Sequence, residues 1–124
     1  MVDDNRNFLA AAQDALSTLD GVVVVGHSNC GCDALAQIAL LKPDLVLLDI
    51  GLPDISGIEV GMQLRTWTQP PHILFVSLQE GTGYAAIQKE IGAMGFVNKA
   101  NFVTELLPLL ESTRQYPNNM GELD

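Results

Sequence analysis

The chain is poor in positive charge. Of its 124 residues only 6 are Lys or Arg, against 15 Asp or Glu, for a net charge of −9. A surface that neutralises nucleic-acid phosphates needs clustered Lys and Arg, so the charge balance argues against nucleic-acid binding by this segment alone and against docking on an anionic membrane. No apolar run is long enough to span a bilayer, and the opening Met-Val-Asp-Asp has neither the basic nor the apolar region of a signal peptide. A cytoplasmic setting is the resulting expectation. Cysteine is scarce too: Cys30 and Cys32 are the only two, too close to bridge each other without strain. With His27 they crowd three ligand types into six positions, unlike structural zinc spacings. They are read as reduced thiols at a helix start.

What the chain has is aliphatic residues in an alternating order. An apolar fraction of 48% suffices for one core. Phe8, Ala12, Ala15, Leu16 and Leu19 share a helical face over 5–20. Val22–Val25 reads as a β-branched strand, and 33–41 as a helix ended by Lys42-Pro43. Leu45–Asp49 is an unbroken apolar run that stops at a charge, as in a strand covered on both faces. A helix follows over 57–68, opened by the capping box Ser56-Gly57-Ile58-Glu59 and presenting Val60, Leu64 and Trp67 inward. Then come a strand at 73–77, a glycine-rich loop at 79–83, a helix at 84–91, a strand at 95–98 and a last helix at 101–112 interrupted by Pro108. Strands alternating with helices imply right-handed βαβ units and an α/β fold with a doubly wound parallel sheet. Residues 1–112 form the domain; 113–124 are polar and read as a tail or linker start.

In such a sheet the chemistry gathers beyond the carboxyl ends of the strands. Asp3 and Asp4 precede the first helix, Asp49 and Ser77 end two strands, and Lys99 follows a third. Three close carboxylates repel unless a cation intervenes, and magnesium suits carboxylates with a backbone carbonyl and waters. An anionic nucleophile beside Mg²⁺, an ammonium and a hydroxyl is equipped for phosphoryl transfer.

Val-Asp-Asp-Asn at 2–5, Leu-Leu-Asp-Ile-Gly-Leu-Pro-Asp-Ile-Ser-Gly at 47–57, Phe-Val-Ser at 75–77 and Gly-Phe-Val-Asn-Lys at 95–99 resemble, in this order, the CheY-like receiver domains of two-component response regulators. The resemblance implies a flavodoxin-like five-stranded sheet of order 2-1-3-4-5. It implies that Asp49 takes a phosphoryl group from a histidine kinase or phosphotransfer protein, and that the domain is a phosphorelay acceptor, not an enzyme. Asp4, Asp49 and the carbonyl of Gly51 would hold Mg²⁺, with Asp3 acting through water. Lys99 and Ser77 would meet phosphoryl oxygens, and Phe96 would turn inward as Ser77 moves. A homodimer could form through the face made by the last two helices or through a rearranged N-terminus.

Two features depart from the pattern. Only Met1 and Val2 precede Asp3, where the family has a full strand, so the first strand is expected to be truncated or displaced and the N-terminus distorted. Ala100 stands where proline is common, which leaves the Lys99–Ala100 peptide geometry open. An alternative is a receiver-like interaction domain that is never phosphorylated. Gly81-Thr82-Gly83-Tyr84-Ala85-Ala86 fits a dinucleotide fingerprint but follows a late strand. An aspartyl-phosphate phosphatase is disfavoured by Gly51, which stands where its second acid is needed.

Overall fold

A computed structural model describes residues 1–78 and 84–115. Its elements run α1 (Arg6–Ser17), α2 (Gly31–Leu41), β1 (Leu45–Asp49), α3 (Gly57–Arg65), β2 (His72–Ser77), α4 (Tyr84–Ile91), β3 (Gly95–Asn98), a 3-10 turn at Lys99–Asn101, and α5 (Phe102–Gln115). The three strands form a parallel sheet in the order β1-β2-β3. Leu45 stands beside His72 and Asp49 beside Val76; Leu74 stands beside Gly95 and Ser77 beside Asn98.

The helix boundaries follow local chemistry. Asn5 caps α1 by accepting from the amide of Phe8, and Ser56 caps α3 by accepting from that of Glu59. Lys42, in the left-handed region at φ 50°, closes α2 ahead of Pro43. The α5 helix runs three residues past its expected end and continues through Pro108. The peptide bond between Lys99 and Ala100 is trans.

Both sheet faces are covered. On one, Val46, Leu48, Ile73 and Phe75 pack with Ala34 and Ile38 of α2, Val60 and Leu64 of α3 and Ile91 of α4. On the other, Leu47, Leu74, Val76 and Val97 meet Ala12 and Leu16 of α1 and Phe102, Leu106 and Leu110 of α5. Gly57 permits one close approach: a Cβ there would collide with the main-chain carbonyl of Asp49. Helix α3 therefore starts directly against the end of β1.

Among the described residues three strands pair in the sheet, and the expected five-stranded order 2-1-3-4-5 is not seen in them. Val2 stands in the place of a first strand as a parallel bridge to Leu48 on one side and Ser28 on the other. It is pinned by hydrogen bonds from its amide to the carbonyl of Leu47 (2.8 Å) and from the Asp49 amide to its own carbonyl (2.9 Å). The N-terminus is therefore seated, not distorted. Val22–Val25 is not a strand. It keeps the in-and-out burial of one, with Val22 and Val24 packed on the α1–α5 side and Val23 and Val25 exposed. Among the described residues none pairs with it in a ladder, and a strand needs a partner to form. His72, expected at the surface, is half-buried with its Nε2 enclosed. The expected loop at 79–83 and most of the expected tail lie outside the described residues.

Candidate functional site

Val2 sets the site. Its pairing with Leu48 delivers the next residue, Asp3, beside Asp49 at the same sheet edge. Asp3 and Asp49 are both buried, whereas Asp4 is exposed. Oxygens of the three carboxylates lie within 4.8 Å of one another, the one group among the described residues that could hold a metal ion. His27, Cys30 and Cys32 do not form such a group. Both thiols are free, and the hydrogen bond that Cys32 donates to Asp54, followed by the charge of that carboxylate, raises the thiol's pKa.

Lys99 answers the acids from the end of β3. Its Nζ lies 2.6 Å from Oδ2 of Asp3 and 3.5 Å from Oδ2 of Asp49. Two contacts aim the residue: the side chain of Asn98 accepts from the Ala100 amide (2.8 Å), and Oε1 of Glu105 accepts from the Asn98 amide (3.2 Å). The same ammonium stands 4.8 Å over the ring of Phe8, which meets Phe102 edge-on at 5.1 Å. Asp3 is further held by the Asn5 amide, which donates to its Oδ1 (2.8 Å).

Asp49 accepts from the amide of Gly51 at 3.3 Å. Burial pushes its pKa above the ordinary 3.8 and the charge of Asp3 pushes the same way; Lys99 opposes both. The ionised carboxylate is thus held in a site that favours an additional cation. Ser77 is buried at the end of β2, one position beyond the register partner of Asp49. Phe96 is half-buried on β3, its ring 6.3 Å from that of Phe75. The open space around Gly51 leaves its loop accessible.

The structure therefore brings Asp3, Asp4, Asp49 and Lys99 into one cluster and sets Ser77 on the neighbouring strand end. Two participants escaped the sequence reading. Phe8 was read as core, because nothing in a helical stripe tells a ring under a cation from a ring under leucine. Asp54 was read only as loop, yet its carboxylate accepts from the amides of Gly31 (2.7 Å) and Cys32 (2.8 Å) at the start of α2. Those bonds hold its pKa well below the usual carboxylate range. Its place one residue after Pro53, in the loop leaving a strand end, was the available signal.

Acids, an ammonium and a hydroxyl thus gather at the carboxyl edge of a parallel α/β sheet, where such sheets bind their ligands, and the acids could hold a cation. The chain belongs to the response regulator receiver domain family, whose model matches residues 1–111. It is similar to the response regulator GacA of Pseudomonas aeruginosa, at 29% identity over 86% of this chain and 50% of that protein. It is also similar to the DNA-binding transcriptional activator EvgA of Escherichia coli K12, at 27% over 92% and 55%. Among solved structures it resembles a LuxR-family two-component response regulator from Aurantimonas sp. SI85-9A1, with a TM-score of 0.84 and 25% identity over 98% of this chain and 89% of that one. The response regulator domain of Thermotoga maritima CheB aligns with a TM-score of 0.79 and 26% identity over 92% and 90%. The chain spans about half the length of these curated relatives. Among the described residues no helix is long and apolar enough to cross a membrane.

Proposed function

We propose that Asp49 accepts a phosphoryl group from a phosphohistidine of a partner kinase or phosphotransfer protein. The observation that carries the reading is the contact of one ammonium, Lys99, with both Asp3 and Asp49 inside a cluster of three carboxylates. An Oδ of Asp49 attacks phosphorus, the P–N bond to the donor imidazole breaks, and the imidazole keeps the electron pair and takes up a proton. The product is an acyl phosphate. Oxygen donors, two of them buried and one open to solvent, fit a hard divalent cation. Asp4, Asp49 and the Gly51 carbonyl would hold Mg²⁺, with Asp3 acting through water. Bound there, Mg²⁺ would offset the charge gathering on phosphoryl oxygens.

Lys99 pairs with one phosphoryl oxygen and the hydroxyl of Ser77 donates to another. Added charge of about −1.5 to −2 draws both groups toward Asp49. As Ser77 moves in, Phe96 turns into the space it leaves, and the face made by α4, β3 and α5 changes shape for a partner to read. The domain acts as an acceptor and switch in the cytoplasm, not as an enzyme turning over a separate substrate. Incubation with acetyl phosphate and Mg²⁺ tests this by intact mass. The expected gain is one phosphoryl group, absent in Asp49→Asn and without Mg²⁺. Equal labelling of Asp49→Asn would overturn the assignment.

A further inference from the structure

Gly51 would lend its carbonyl to the cation, yet little holds Gly51 itself. It is exposed, and beyond its own chain neighbours nothing lies within 4 Å of where a Cβ would stand. Whatever fixes that carbonyl acts through the loop that carries it. We propose that Asp54 is a positioning residue for the Gly51 carbonyl, because its carboxylate ties the 51–55 loop to the first turn of α2. The inference rests on the cation reading of the acidic cluster given above.

Hydrogen bonding carries the argument. At its start the loop is held only locally: the Gly51 amide donates to Oδ1 of Asp49 at 3.3 Å, and the Leu52 amide to the carbonyl of Ile50 at 3.1 Å. Among the described residues, the hydrogen bonds that tie 51–55 to a distant part of the chain all fall on Asp54. Its Oδ1 accepts from the Gly31 amide at 2.7 Å and its Oδ2 from the Cys32 amide at 2.8 Å. The thiol of Cys32 donates to the same carboxylate. Two amides on two oxygens fix both the place and the tilt of the group, and bonds to an ionised acceptor are the strong ones. The positive end of the helix dipole favours the same charge. Helix α2 also lacks a cap of its own, since Cys30 at its cap position makes no side-chain cap bond.

Packing closes the same joint. Ile55 sits so near Gly31 that a Cβ on Gly31 would collide with its side chain. The first turn of α2 is tied in turn to the acids on the other side of the site. Oδ2 of Asp33 accepts from the Ser28 hydroxyl at 2.7 Å, and the Ser28 carbonyl accepts from the Asp3 amide at 2.9 Å. One helical turn thus spans the cluster, with Asp3 and Asp4 on one arm and the Gly51 loop on the other. A metal ligand is only as well placed as the groups behind it. Asp54 is the link through which the second arm is held at its distance from the first.

The test is calorimetric titration of Mg²⁺ into the whole chain, with backbone order parameters from NMR relaxation of the metal-free protein beside it. Asp54→Ala should weaken Mg²⁺ binding about tenfold and lower the order parameters of Gly51 and Leu52. Asp54→Asn keeps one acceptor oxygen and should fall between. A residue that merely caps α2 is told apart by the double variant Asp54→Ala/Cys30→Ser. Serine at the cap position accepts from first-turn amides without reaching the loop. The double variant should regain the melting temperature lost in Asp54→Ala, while Mg²⁺ binding stays weak and Gly51 stays loose. Recovery of Mg²⁺ affinity together with the melting temperature would overturn the proposal. So would an Asp54→Ala variant whose Mg²⁺ affinity and order parameters match the parent's. A parent that binds no Mg²⁺ would overturn the cation reading, and this proposal with it.

Discussion

Nζ of Lys99 stands closer to Asp3 than to Asp49, at 2.6 Å against 3.5 Å. The acid nearest the cation is thus the one that follows the Val2 bridge, and not the one at the end of β1. Asp3 is only 2% exposed, so the contact is a buried ion pair. Such a pair is weakly stabilising when intact and costly when one member is removed.

Lys99→Met leaves Asp3 buried without its cation. Urea denaturation should show a loss of about 3 kcal/mol. The double variant Asp3→Asn/Lys99→Met should recover part of it, because Asp3 is then neutral while Asp49 alone stays buried without its cation. Acetyl phosphate labelling should fall in both.

Asp49 gives a pH dependence of opposite sign to that of a salt-bridged acid. Its folded pKa is raised, by burial first and by Asp3 second. Between the ordinary value of 3.8 and its folded value the native state binds more protons than the unfolded state. Its contribution to stability therefore falls as pH rises through that interval and stays low above it. Asp49→Asn removes this cost. Without divalent cations at neutral pH it should be more stable, with a higher melting temperature by differential scanning fluorimetry.

Divalent cations should reverse that ranking. A ligand bound only by the folded state stabilises it by RT ln(1 + [L]/Kd). Millimolar Mg²⁺ should raise the melting temperature of the parent, raise it less in Asp4→Asn, and leave Asp49→Asn unchanged. A parent whose melting temperature ignores Mg²⁺ would remove the metal from the mechanism.

Gly57→Ala tests the junction behind the acid. The added methyl meets the Asp49 carbonyl, part of the main chain, so relief requires moving either α3 or the end of β1. The expected cost is about 3 kcal/mol, with slower labelling of Asp49 because its carboxylate shifts with its backbone.

Much of the layout was legible because the signals were local. The apolar run of Leu45–Leu48 ends at Asp49, Ser56 and Glu59 mark the start of α3, and Pro43 marks the stop of α2; each rests on neighbours in sequence. The cluster of Asp3, Asp49 and Lys99 was legible for a topological reason: parallel strands place all their ends on one edge. What was not legible needed partners distant in the chain. Val22–Val25 has every propensity of a strand, yet a strand is a relation between two segments, and residues cannot report whether another segment pairs with them. The reach of Asp54 to Gly31 and Cys32 spans more than twenty positions, and no periodicity encodes it.

The ring of Phe8 meets both the ammonium of Lys99, at 4.8 Å, and the ring of Phe102, edge-on at 5.1 Å. One cation is therefore shared between the acidic pocket and the seam of the first and last helices, so the packing of α1 on α5 depends on where that ammonium stands.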